Sequence, residues 1–402
     1  MSDRTTPIFD HQGGTDAPWY SGWELSPERR AFFRERSLRS HEAKLKSLAG
    51  EGPEPLHEIN VPALDSNLLI PQLDANGLAS LSLFSGGGGL DLAFDRAGFA
   101  HVASFDTLET AGRTLSSNRP HWEVRSGSDG DVRGIDWTGY RGIVDVVHGG
   151  PPCQPFSAAG RQKGRGDERN MLPEFVRAVL AIEPSAFVAE NVPALAGPKF
   201  ADYLNDAFHR PLGTAYEITM CKLSAHDFGV PQVRRRVFFI GLRNPRNRAR
   251  PQPPPPTHRA DQLLGAPAPT LDQAGLAPTL GAREAIGLPG IGHDALAPTL
   301  RSTLTGPRHT TSVLSSASAQ RAWTHLHIWP NGVAPTREAA RRFVPENGHF
   351  RLAVADCAVL QGFPVEWEFA GPVYMALGQI GNSVAPPVGY HVARTLAAAL
   401  TG

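Results

Sequence analysis

Read for the spacing of its apolar positions, the chain changes character at Leu78. Before it, apolar residues are few and scattered among Pro, Gly and charged residues. One stretch there, Pro27–Leu48, is dense in charge and predicts a surface or capping helix. From Leu78 on, apolar runs of strand length alternate with amphipathic stretches of helix length. Leu78–Phe84 predicts a buried strand, then the turn Ser85–Gly89 and a helix over Leu90–Ala97 that Gly98 closes. Further strands are predicted over Val102–Phe105, Ile143–Val147, Ala186–Ala189, Tyr216–Leu223 and Val237–Leu242, with helices over Leu172–Ile182 and about Lys199–Phe208. Such alternation predicts an α/β sheet. After Asn244 the periodicity lapses. The PQPPPP run at 251–256 reads as a stiff linker. Residues 260 to about 345 read as a small loop-rich insertion with Trp323 and Trp329 as core anchors. The tetrapeptide Ala-Pro-Thr-Leu recurs there at 268, 277 and 297, too unevenly for a solenoid. Helices are predicted again over Leu352–Leu360 and Val388–Leu400, with Gly381–Pro387 as a loop between them.

Composition narrows the class. A chain of 402 residues with 41% hydrophobic content can bury a sizeable core. No apolar run approaches the roughly 18 residues of a membrane span, and the first residues lack the form of a secretory signal. A cytoplasmic protein with no membrane partner is expected. Cys153, Cys221 and Cys357 are too few for a disulfide framework and have no metal-ligand spacing, so no metal is expected. A net charge of zero speaks against a polyanionic partner until its distribution is read. Phe228–Ala260 contains no acid, yet it carries Arg234, Arg235, Arg236, Arg243, Arg246, Arg248, Arg250 and Arg259. That window predicts a polyanion contact. The plainer readings are a solvated face, or a chain that prefers arginine throughout.

Candidate chemistry sits at the predicted strand ends. A glycine-rich turn between strand and helix lets the backbone approach a ligand, and the helix N-terminus offers free N–H groups. Asp106 ends the next strand, about 20 positions on, where a ribose hydroxyl would be held. Asp131, in a third loop, is a candidate for an exocyclic adenine amine. Together these predict an adenosine-containing cofactor; the lack of a phosphate-binding lysine argues against ATP. The stretch Gly149–Ser157, GGPPCQPFS, follows a buried strand, and its prolines exclude helix and central strand. It reads as a rigid loop presenting Cys153, either as a nucleophile or as an inert buried thiol. Ala158–Gly166, glycine-rich and basic, reads as a closing lid. Glu190, ahead of Asn191, Val192 and Pro193, is a site position or a helix cap.

In this order the motifs resemble those of the cytosine-C5 DNA methyltransferases, from Leu78 to about Leu400. Phe84-Ser-Gly-Gly-Gly-Gly-Leu90, Pro152-Cys153-Gln154, Glu190-Asn191-Val192, the Gln-x-Arg-x-Arg of Gln232, Arg234 and Arg236, and Gly381-Asn382-Ser383-Val384 carry the resemblance. It implies an S-adenosylmethionine-dependent methyltransferase fold: a Rossmann-like mixed sheet with helices on both faces, plus a small loop-rich target-recognition domain. The implied domains are an extension over 1–77, a catalytic domain over 78–243, target recognition over 244–345 and a return to the catalytic domain over 346–402. It assigns Phe84, Ser85, Gly86, Gly88, Gly89, Leu90, Asp106, Asp131, Pro152, Asn382 and Val384 to S-adenosyl-L-methionine. Catalysis falls to Cys153, Glu190, Arg234 and Arg236, and substrate contact to Gln154, Ser157, Gly160, Asn191 and Gln232. The implied reaction methylates C5 of a cytosine flipped out of double-stranded DNA, beside a cognate restriction or defence system, by a monomer. The alternatives are the same chemistry on tRNA, a catalytically silent DNA-binding module, and a Rossmann oxidoreductase. The family commonly has Arg-Glu-Cys-Ala-Arg-Leu-Gln where this chain has Ala355–Gln361 without either arginine. That departure concerns the docking of the insertion.

Overall fold

A computed structural model describes residues 57–152, 170–243, 252–263, 275–304, 310–342 and 348–402, with scattered positions between 27 and 51. The chain divides into two compact units, Met1–Glu54 and Pro55–Gly402. In the first, every described position from 27 to 46 is helical and exposed, as the charge density predicts. The second unit begins upstream of Leu78, where periodicity places the start of the core. Leu64 and Ile70 are buried in its main cluster, and Leu73 N and Asn76 N donate to Arg96 O and Gly98 O. Two isolated anchors make no periodic signal.

The unit is built on seven strands: β1 (Ala79–Leu83), β2 (Ala100–Asp106), β3 (Val124–Ser126), β4 (Val146–Gly149), β5 (Ala186–Asn191), β6 (Tyr216–Ser224) and β7 (Arg235–Arg243). Their spatial order is β3-β2-β1-β4-β5-β7-β6. The first five run parallel, and β7 is antiparallel to both its neighbours, so the sheet is mixed. Helices α1 (Gly89–Arg96), α2 (Glu109–Asn118), α3 (Leu172–Ile182), α4 (Val354–Leu360), α5 (Val373–Asn382) and α6 (Pro386–Thr401) complete the frame.

Side chains of a strand alternate between faces, and the two larger core clusters among the described residues follow that rule. Val146, Val188 and Phe238 join Phe94 and Val388 on one face. Val147, Phe187 and Phe239 join Phe175 and Val179 on the other. Helix α6 packs closely on α1: a Cβ at Gly389 would stand 2.9 Å from that of Ala93.

Several elements differ from their predicted bounds, each for a local reason. The strand expected over Ile143–Val147 is displaced to Val146–Gly149. Ile143 is 57% exposed in a turn closed by Tyr140 O, and Asp145 Oδ2 takes Ala79 N at 2.8 Å, setting where β4 joins β1. The helix over Lys199–Phe208 is broken by a wide π-type turn at Asn205–His209, followed by Arg210–Leu212. Pro211 there has no N–H to donate into a regular turn. Phe350–Ala353 forms a strand against Ile328–Ala334, and α4 starts only at Val354, with Asp356 accepting Ala353 N at 2.9 Å. Gly381 and Asn382 end α5 rather than opening a loop. Trp323 is fully buried; Trp329 is only half-buried.

In the insertion, two of the three Ala-Pro-Thr-Leu copies have the same use. Ala277–Pro278 pairs with His258–Arg259, and Ala297–Pro298 pairs with Gln232–Val233. The threonines that follow, Thr279 and Thr299, donate to His226 O and Val233 O. The copy at 268 lies outside the described residues. Ala282, Ala285, Ile286 and Leu300 belong to the same cluster as α1 and α6, so this part of the insertion packs into the core of the unit.

Candidate active site

Strand order reverses at β1 and β4, and in open α/β sheets ligands bind beyond the carboxyl ends at that point. A cavity of about 680 Å³ opens there. Register brings the ends into line: Leu83 is opposite Gly149 and Gly149 opposite Ala189. The chain leaving β1, the loop leaving β4 and Glu190 on β5 therefore face one space.

One wall is the glycine turn. Gly86 and Gly88 have φ of 55° and 82°, a region costly for other residues. A Cβ on Gly89 would stand 2.1 Å from Val384 O, so the turn after α5 comes within contact of the turn before α1. Trp367 Nε1 donates to Gly87 O at 3.1 Å and braces it. Phe84, Ser85, Gly86, Gly89, Leu90, Asn382 and Val384 all line the cavity. Gly88 is not among its lining residues; its missing Cβ makes room for Leu115 Cδ2 and Trp367 Cζ2, at 2.6 and 2.8 Å. Asp106 accepts Gly86 N and Leu108 N, both at 2.8 Å. Burial raises its carboxyl, against those two bonds. Asp131 also lines the cavity, but Arg133 already grips its carboxylate and holds it below the usual range.

The second wall carries Gly149 to Pro152, Glu190 and Arg236. Glu190 is 6% exposed, and Arg236 Nε stands 2.8 Å from its Oε1. On the antiparallel β5–β7 pair Glu190 is opposite Phe238, so Arg236 is its diagonal neighbour on the same face. Burial pushes the Glu190 carboxyl above its ordinary value, opposed by Arg236 and Arg234. A Cβ at Gly150 would stand 3.0 Å from Glu190 Oε2, so only glycine lets the loop pass this carboxylate freely.

Other expected site residues turn away from the cavity. Arg234 is 1% exposed and its Nη2 donates to Gly381 O and Ser383 O at 3.0 and 2.7 Å. It ties β7 to the turn after α5. Gln232 is fully buried, donating to Leu360 O and Gln361 Oε1 at 3.0 and 2.9 Å. It faces α4 in the core and is not among the residues lining the cavity. Asn191 is 3% exposed and its Nδ2 donates to Pro151 O at 3.0 Å, steadying the loop that leads to Cys153. Cys153, Gln154, Ser157 and Gly160 lie outside the described residues. Cys221 and Cys357 are buried, and burial pushes their thiols up, Cys221 to about 11, which disfavours the thiolate in both.

Some lining residues had no motif to mark them. Asp91, 2% exposed, takes Ser104 Oγ at 2.5 Å; its only signal was an acid in the first turn after the glycines. Gln379 and Leu304 reach the cavity from α5 and from the insertion.

The absent arginines of Ala355–Gln361 have a structural counterpart. Asp356 is fully buried and accepts Arg337 Nε at 2.8 Å and Asn60 Nδ2 at 2.9 Å. Asn60 also donates to Ile286 O at 2.7 Å. The guanidinium comes from outside the motif and still fastens insertion, upstream segment and α4 together. Of the arginine run, Arg243 pairs with Glu183 and Arg259 with Asp261, while Arg235 is exposed. Arg246, Arg248 and Arg250 lie outside the described residues. No described helix is long and apolar enough to cross a membrane.

The chain is similar to known proteins over most of its length. The model of a family described as C-5 cytosine-specific DNA methylase matches residues 78–273 and 304–398. The type II methyltransferase M.NgoMIV of Neisseria gonorrhoeae is 35% identical over 334 residues, covering 80% of this chain and 97% of that protein. M.NaeI of Lentzea aerocolonigenes is 30% identical over 334 residues, covering 80% and 75%. Among solved structures, the fold is shared with the S. pombe Dnmt2 methyltransferase, with a TM-score of 0.52 at 16% identity over 80% of this chain and 98% of that one.

Proposed function

The chain belongs to the C-5 cytosine-specific DNA methylase family and is a DNA cytosine-5 methyltransferase of the restriction–modification kind; from that premise we propose that it uses S-adenosylmethionine and a covalent Cys153 adduct to methylate a cytosine flipped out of a specific duplex sequence. The observation that carries this reading is the buried Glu190–Arg236 pair at 2.8 Å, in the wall of the cavity that holds the glycine turn.

The cavity fits the cofactor. Its glycine turn is open where a Cβ would intrude, Asp106 stands at the end of β2, and Asp91 Oδ2 has no hydrogen-bond partner among the described residues. Phe84, Ser85, Gly86, Gly89, Leu90, Asp106, Asp131, Pro152, Asn382 and Val384 would hold it. When bound, S-adenosylmethionine supplies an electrophilic methyl group.

The protein's own part is to make cytosine C5 nucleophilic. The target atom cannot be reached inside a duplex, so the base is extruded into the site, at a cost of a few kcal/mol. Cys153, as thiolate, adds to C6. Electron density moves through the ring to N3, and Glu190 gives N3 its proton. A carboxyl raised by burial is suited to that donation near neutral pH. Arg236 steadies the ring carbonyl and the conjugate carboxylate. C5 of the resulting enamine would take the methyl group the cofactor supplies, and N3 returns its proton to the Glu190 carboxylate; loss of the C5 proton to a base and departure of the thiolate then restore the aromatic ring. Arg234 and Asn191 position, through Ser383 and Pro151, the two walls that must meet at the base.

Sequence reading is proposed for residues 244–345, with double-stranded DNA in the cytoplasm as substrate, a monomer as the working form and a cognate restriction or defence activity as partner. Expression in a methylation-free host followed by bisulfite sequencing tests the whole reading. Protected cytosines confined to one short motif are expected. Unprotected DNA with methyl transfer to tRNA would overturn the substrate, and full activity of Cys153→Ser would overturn the mechanism.

A further inference from the structure

The insertion reaches the cavity by a route that no motif describes. After pairing at Ala297–Pro298, the chain crosses α5 between Leu300 and Leu304. Leu300 N donates to Gln232 Oε1 at 3.3 Å, and Arg301 N to Val313 O at 3.2 Å. Ser302 Oγ donates to Gly378 O at 3.4 Å. Thr303, 1% exposed, donates through its hydroxyl to Tyr374 O. The helix is notched to receive this segment. A Cβ at Gly378 would stand 2.1 Å from Leu304 Cγ, and one at Gly381 would stand 2.6 Å from Ser302 N. Leu304 then forms part of the cavity wall beside Gln379 and Asn382. Residues 274–303 fall between the two stretches that the family model matches, so the segment up to Thr303 lies outside the matched residues.

We propose that Leu300–Leu304 is a strap that makes the insertion part of the cofactor site, with Leu304 packing against bound S-adenosylmethionine. The proposal rests on the cofactor reading above. Leu304 is half-buried, and a ligand in the cavity removes its remaining apolar surface from water. The strap is fastened at one end to Gln232, which also anchors α4, and at the other to α5. Free energy gained at Leu304 therefore favours the docked insertion, and a docked insertion favours the cofactor by the same factor. Leu304 is a positioning and binding residue here; it takes no part in bond making.

The test is calorimetric titration of the full chain with S-adenosylhomocysteine, joined to hydrogen exchange with and without that ligand. Saturation should slow exchange at the amides of Leu300 and Arg301 by about ten-fold or more. Leu304→Ala should weaken binding about ten-fold, and Leu304→Met, of similar volume, should bind within about three-fold of the wild type. Gly378→Ala should weaken binding by pushing the strap away, and the double variant Gly378→Ala/Leu304→Ala should bind no worse than Leu304→Ala alone. Unchanged affinity in Leu304→Ala, or unchanged exchange at Leu300 and Arg301, overturns the proposal. So does a double variant whose losses simply add. If the alanine variant fails to fold, Leu304→Val carries the same comparison. Failure of the wild type to bind S-adenosylhomocysteine would instead overturn the cofactor reading.

Discussion

Glu190 and Arg236 set the chemistry at the scale of single residues, and their pairing makes two predictions with definite signs. Burial raises the Glu190 carboxyl and Arg236 opposes that rise. Removing the opposing charge with Arg236→Gln should raise it further. The alkaline fall in kcat should then move to higher pH, while kcat itself drops by about a hundred-fold or more; a pH–rate profile checks both. The folding consequence has the opposite sense to an ordinary carboxylate. A group raised in the folded state stabilises it fully below its unfolded value, near 4.5, and that stability is lost as pH rises through the folded value. Glu190→Gln should therefore abolish turnover yet melt slightly higher than the wild type at pH 8. An unchanged or lower melting temperature at that pH would contradict this. Both residues were legible in the sequence because polar groups at strand ends stand out from apolar runs. Their contact was not, since 45 positions separate them and only antiparallel pairing of β5 with β7 makes them neighbours.

The decisive features among elements are where turns meet. The glycine turn and the turn after α5 approach until Gly89 has no room for a side chain. Gly89→Ala should weaken S-adenosylhomocysteine binding by at least about ten-fold, measured by titration, because either Val384 or α1 must move. The glycines were plain in the sequence; that Gly88 serves packing while Gly89 serves the close approach was not. At α4, Arg337 pairs with a fully buried Asp356. Arg337→Ala leaves that carboxylate without its cation, a change that costs about 3 kcal/mol or more. Thermal unfolding should show a melting temperature lower by several degrees. An intact melting temperature would show that the missing motif arginines needed no replacement. The predicted helix over Leu352–Leu360 failed at its start for a related reason. Phe350–Ala353 finds a strand partner 19 to 22 positions upstream, and tertiary pairing overrides local periodicity.

For the whole molecule, the cavity, the strap and the two larger core clusters lie in Pro55–Gly402. A chain beginning at Pro55 should keep the melting temperature of that unit and its affinity for S-adenosylhomocysteine. Loss of either would show that Met1–Glu54 completes the fold. Duplex binding should fall steeply with salt if the exposed arginine and its neighbours in the run meet phosphates, as counterion release requires. A flat salt dependence would remove that role.

The sequence by itself determined the succession of elements, the glycine turn, and the polar residues at the ends of β2 and β5. These depend on local spacing, and local spacing is what a chain displays directly. The tertiary structure alone decided which of those residues face the cavity. Arg234 immediately precedes β7 and Arg236 lies within it, two positions on, yet one is spent on Gly381 and Ser383 while the other meets Glu190. Gln232, fully buried, holds α4 and the insertion together. Nor does anything local to the insertion show that Leu304 reaches the cavity, because that depends on glycines more than 70 positions away on α5. A motif marks residue types at intervals; packing decides which partner each one meets, since buried polar groups must be satisfied wherever the fold brings them.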